Sequence, residues 1–74
     1  MSTPYYIVVE KFASAPKAGV AFGDYVRKVA FDEARYLRHD AKREGHKDVT
    51  YTLVKCPEDT QAAIDAEVAK FHTN

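Results

Sequence analysis

Apolar positions first cluster, then recur at helical spacing, then alternate as the chain is read from its start. Tyr5 to Phe12 (YYIVVEKF) is dense in aromatic and β-branched residues, which suit the pleated surface of a strand. Its first five residues are apolar on both faces, which predicts a strand covered on both sides. Ala13 to Gly19 (ASAPKAG) carries Ser, Pro and Gly and reads as a loop. Val20 to Phe22 is either a short edge strand or a hydrophobic lead-in to the next element.

From Asp24 to Glu44 the period changes to that of a helix. At about 100° per residue, Val26, Val29, Ala30, Ala34, Leu37 and Ala41 share one apolar sector, with Phe22 just upstream on the same side. Asp24 is placed to cap the start or to sit in the first turn. Gly45, following Lys42 and Arg43, marks the end, because Gly tolerates the left-handed backbone and cations suit the negative end of the dipole. Asp32 and Glu33 stand at spacings that allow pairing with Lys28, Arg35 or Tyr36.

Val49 to Cys56 (VTYTLVKC) then alternates, with Val49, Tyr51 and Leu53 on one face and Thr50, Thr52 and Val54 on the other. Pro57-Glu58-Asp59 is expected to open a second helix running to about Phe71, with acids at the positive end of its dipole. Ile64, Val68 and Phe71 form its apolar side, padded by alanines.

These elements predict a small single α+β domain over residues 1–74, in the order strand, helix, strand, helix, with both helices packed on a sheet of two to three strands. A right-handed crossover would make the two main strands parallel neighbours. Two strands alone are thin for a stable domain. Either the Val20 region supplies a third strand, or two copies join their sheets as a homodimer.

Composition narrows the setting. A hydrophobic fraction of 46% and a charged fraction of 30% are those of a folded globular chain. One cysteine excludes an internal disulfide and points to a reducing compartment. No charged-then-apolar leader opens the chain and no apolar run approaches ~18 residues, so a cytoplasmic protein without a membrane partner is expected. Net charge is zero, but residues 24–47 carry +2 and residues 48–74 carry −3. Such a dipolar molecule can orient on a partner.

Candidate chemistry is sparse. His39, His46, Cys56 and His72 are the candidate metal ligands, and none forms a close pair of the C-x-x-C or H-x-x-x-H kind. Cys56 ends a strand just before a helix, a position that can activate a thiol, but it has no identifiable histidine partner. Asp32-Glu33 and Glu58-Asp59 are adjacent pairs that diverge by roughly 100° on a helix. Gly19, Gly23 and Gly45 make no phosphate-binding loop. No catalytic residues, metal or cofactor are therefore assigned.

The outstanding surface feature is a row opposite the apolar sector. Arg27, Phe31, Arg35, Arg38 and Lys42 occupy an arc roughly 80° wide, flanked by Lys28, His39 and Arg43. A charge row usually serves solvation, and Arg stems can cover an aromatic ring. A phenyl ring among guanidinium groups is also the composition of a contact surface. The expectation is a non-enzymatic binding protein, an adaptor or inhibitor, that meets an acidic surface on a larger protein through these five residues. Nucleic-acid binding through the same helix is the alternative. Phage and mobile elements are common sources of such proteins, a base rate with no residue behind it.

Overall fold

The computed structural model describes residues 3–73. Five elements follow one another: β1 (Tyr5–Phe12), β2 (Gly19–Asp24), α1 (Arg27–Arg43), β3 (Val49–Cys56) and α2 (Gln61–Ala69). They form a small α+β domain around a three-stranded sheet of order β2-β1-β3.

β1 runs antiparallel to both neighbours. The expected parallel pairing of β1 with β3 is therefore wrong, for a simple reason. The chain reverses in a hairpin before it enters α1, so β2 and β3 are the parallel strands and β1 lies between them. The Val20 region supplies the third strand, and its pairing with β1 slips by one residue between Val8 and Val9. With β2 present, the sheet does not need a second copy to reach three strands.

The run of apolar residues in β1 reflects its central place. Ile7, Val8 and Val9 are essentially inaccessible to solvent. Ile7 and Val9 point to one face, where Cys56 and Val68 close a core with Tyr5, Val54, Ile64 and Phe71 around it. Val8 points to the other face and packs with Ala30 and Ala34, bordered by Tyr6, Phe22, Leu37, Tyr51 and Leu53. Each helix thus covers its own face of the sheet.

α1 is narrower in its buried stripe than its apolar sector suggests. Ala30, Ala34 and Ala41 are buried, whereas Val26 and Val29 remain 55% and 43% exposed. Val26 is the cap residue, outside the first turn, and Val29 lies about 100° round the helix from Ala30. The small alanines hold the helix close to the sheet, and its flanks overhang the strands.

The ends of the helices differ from expectation at their starts. α1 begins at Arg27, after Val26, with no side-chain cap. Asp24 belongs to β2, and its Oδ1 accepts the Val26 N–H at 2.7 Å in a turn before the helix. α2 begins after Thr60, whose hydroxyl accepts the Ala63 N–H at 3.2 Å; Pro57, Glu58 and Asp59 stay in the preceding loop. A hydroxyl that can bond the open first turn defines that start better than proline does. The end of α1 is as read: Gly45 adopts φ +80°, its N–H bonds the Lys42 carbonyl, and the His46 N–H bonds that of Ala41.

Contacts at both ends of the sheet tie neighbouring segments together. Tyr5 and Tyr25 meet edge to face at 4.8 Å, and Tyr25 donates to Asp59 at 2.7 Å. The Tyr5 ring lies so close over Gly23 that a Cβ there would overlap it. At the other end, His72 Nδ1 accepts the Ala18 N–H at 2.9 Å and Thr73 donates to the Pro16 carbonyl at 2.7 Å.

Ala34→Leu forces extra volume between α1 and the sheet and should cost about 1–3 kcal/mol, read from the urea midpoint. Ala62→Leu, on the exposed part of α2, should leave that midpoint nearly unchanged. Tyr51 donates to Glu10 at 2.9 Å, and its phenol pKa is raised above 10.0, first by burial and then by that bond. A raised folded-state pKa stabilises the fold fully below pH 10 and loses that contribution as pH climbs through the folded value. Tyr51→Phe should therefore show a shallower loss of stability above pH 10, measured by urea unfolding across alkaline pH.

Candidate functional site

The ridge on α1 exists as a surface. Arg27, Phe31, Arg35, Arg38 and Lys42 are all exposed, on the flank of the helix about 80° round from the buried alanines. Phe31 keeps 37% of its area in solvent. The guanidinium carbons of Arg27 and Arg35 stand 5.9 and 6.0 Å from its ring centre, one on either side along the helix. The ring is thus neither in the core nor bare, since two cations lie over it at cation–π distance.

The ion pairing of α1 separates its cations into two groups. Lys28 pairs with Asp32 at 2.8 Å, and Arg43 pairs with Asp40. These are neighbours within one turn and contribute tenths of a kcal/mol at most. Arg27, Arg35 and Lys42 have no carboxylate partner among the described residues. Arg38 also lacks a carboxylate and has a different anchor: its Nε and Nη2 both donate to the Tyr51 carbonyl, at 2.9 and 2.6 Å. The ridge is therefore fastened to β3 at one point and free along the rest.

A shallow open depression on the same helix is lined by Asp32, Arg35, Tyr36, Arg38, His39 and Lys42. Sequence periodicity gave Tyr36 no place in the contact set, yet it is the most exposed large apolar side chain of α1, at 59%. Its position beyond the ridge, with aromatic area in solvent, is the signal that could have included it. A second, more enclosed recess lies under the last turns of α1, between Leu37, Ala41, Phe12, Val49 and Tyr51.

The remaining candidates are dispersed. His39 lies beside the ridge, His46 follows the end of α1, His72 is bonded to the Ala18 amide, and Cys56 is enclosed in the α2-side core. Among the described residues no three potential ligands from His, Cys, Asp and Glu come together as a metal site would need. Burial, and secondarily the charge of Glu67, pushes the Cys56 thiol pKa above its ordinary value. That is the opposite of the activation its place before a helix suggested. No helix among the described residues is long and apolar enough to cross a membrane.

Comparison with protein-family models, with curated proteins and with solved structures found no match to this chain.

The buried thiol should react with a thiol reagent such as DTNB only as fast as the chain opens. In native buffer its labelling should be at least about a hundredfold slower than in unfolding urea, followed by absorbance. Rapid native labelling would show the cysteine to be accessible.

Proposed function

We propose that the protein is a non-enzymatic binding module, an adaptor or inhibitor, that docks the α1 ridge against an acidic surface on a larger protein. The observation that carries this reading is the contrast within one helix. Lys28 and Arg43 are neutralised locally, whereas Arg27 and Arg35, which flank a solvent-exposed phenyl ring, and Lys42 further along the helix meet no carboxylate among the described residues. A row that served only solvation would gain from the same local pairing its neighbours have. Arg and aromatic side chains dominate interface energetics because they bring large, partly preorganised area and charge to one place. A phage- or mobile-element-encoded inhibitor acting in the cytoplasm is the setting this reading proposes.

Nucleic-acid binding by the same face is the second reading. The unpaired cations and the stacking ring favour it. Zero net charge and the interleaved Asp32 and Asp40 weigh against it.

Two measurements separate these readings. Tagged protein used for affinity capture from its native lysate should retain a partner that Phe31→Ala combined with Arg35→Glu loses by at least tenfold. The double variant should melt within a few degrees of the parent, since both side chains are exposed. Equal retention by the variant would refute the ridge as the contact face. A mobility shift on DNA or RNA that weakens steeply between 50 and 200 mM salt would transfer the ridge to nucleic acid.

A further inference from the structure

β3 is the last strand of the sheet, and no strand among the described residues pairs with its outer edge. Which of its backbone groups face that edge follows from register. The Ala13 N–H bonds the Asp48 carbonyl at 2.7 Å, so residues 13 and 48 are a hydrogen-bonded pair. The register continues from Phe12↔Val49 to Tyr5↔Cys56 without a shift. Antiparallel pairs alternate, so Val49, Tyr51, Leu53 and Lys55 turn their own N–H and C=O groups away from β1. The Tyr51 carbonyl is the acceptor that Arg38 holds. That bond brings Arg38, a member of the ridge, to the outer edge of β3.

Resting on the ridge reading above, we infer that β3 and the α1 ridge form one composite site, which accepts an extended acidic segment of the partner protein as a fourth strand. The backbone of that segment would pair with the outward groups of β3, the recognition mode in which main-chain bonds supply affinity and alternate side chains supply specificity. On the face towards α1, its side chains meet Arg35, Arg38 and Lys42, with Lys55 of β3 on the same face as Tyr6 and Leu53. Those positions call for Asp or Glu. On the opposite face the segment lies beside Thr50, Thr52 and Val54, which suit β-branched residues. The expected pattern is an acid at every second position.

Arg38 couples the two halves of the site. An incoming N–H takes over the Tyr51 carbonyl, and the released guanidinium is then free for a carboxylate of the same segment. One backbone donor replaces the two guanidinium N–H groups, so opening the edge leaves no orphaned acceptor.

Charge also decides against a second copy of this chain at the same edge. Pairing β3 with β3 of another copy would bring two cationic ridges side by side, an arrangement that repels. A guarded edge of this kind rejects its own kind and admits the opposite charge.

The test uses the full chain and an eight-residue peptide of alternating Glu and Thr, with an alternating Lys-Thr peptide as control. Binding is followed by NMR shifts and amide exchange. Saturable binding of the Glu-Thr peptide should slow exchange at the outward amides of Tyr51, Leu53 and Lys55 by about tenfold or more, and leave those of Thr52 and Val54 unchanged. Arg35→Glu with Lys42→Glu should weaken binding by more than tenfold. Lys55→Pro removes one outward N–H while sparing the β1 ladder, and should weaken binding roughly three- to tenfold. The protection pattern in the parent protein stands whether or not that variant folds. Shifts confined to α1, with no protection on β3, would overturn strand addition and leave the ridge reading intact. Absence of binding, with partner capture still abolished by the ridge substitutions, would do the same. Absence of binding with capture indifferent to the ridge would remove both. Equal affinity for the Lys-Thr peptide would overturn acid recognition, and a self-associated chain protected at β3 would give the edge to a second copy.

Discussion

Everything in this fold hangs on β1, the one strand with neighbours on both edges and helices on both faces. Its backbone groups are used in both directions, by β2 and by β3, and Ile7, Val8 and Val9 are out of contact with water. Burying each such side chain is worth about 1.5–3 kcal/mol, a large share of what a chain this short can gather. The placement also dictates the layers. Because consecutive residues of β1 point to opposite faces, Ile7 and Val9 call for one cover and Val8 for another. α2 answers the first with Ile64, Val68 and Phe71, and α1 answers the second with Ala30 and Ala34.

The surface follows from how α1 makes that cover. A helix that seats itself through alanines buries a narrow stripe and leaves the rest of its circumference outside. The long side chains of Arg27, Arg35 and Lys42 are thereby kept out of the core, and none of them meets a carboxylate among the described residues. Phe31 stands on the flank of the helix, about 80° round from the alanine stripe, so 37% of it stays in solvent and the two guanidinium groups beside it lie over the ring. An exposed ring dressed in cations is a consequence of the alanine seat as much as of the ridge residues themselves.

Arg38 joins this surface to the sheet. By holding the Tyr51 carbonyl it satisfies one outward backbone acceptor of β3 and ties the ridge to that strand at one point. An edge strand is a liability unless guarded, and positive charge along it is one common guard. Here the guard is a side chain that can exchange its acceptor, which makes the same contact a protection and a point of entry. The two ends of the sheet carry no comparable arrangement: the Tyr5–Tyr25–Asp59 contact and the His72–Ala18 bond are closures within the chain.

Much of this was legible from residue pattern alone. Composition and alternation marked β1 and β3 at their observed limits, helical period separated the alanine stripe from the cationic row, and glycine chemistry located the end of α1 at Gly45. Those are local properties, set by backbone preferences and by which side of an element is apolar. What pattern could not supply was pairing. Strand direction turned on whether Gly19 to Asp24 formed a hairpin, a six-residue stretch with two glycines whose strand character comes from β1 beside it. The starts of both helices depended on a competition among Asp24, Pro57 and Thr60 for backbone groups that only the assembled turns present. The bond from Arg38 to Tyr51 joins residues 13 apart across two elements, and no periodicity within α1 encodes it. Which side chains gather on each face of an element is a matter of local geometry, and the order of residues is enough to assign it. Which backbone edges meet, and which cations among the described residues find a carboxylate, depends on distances between segments that the folded chain alone sets.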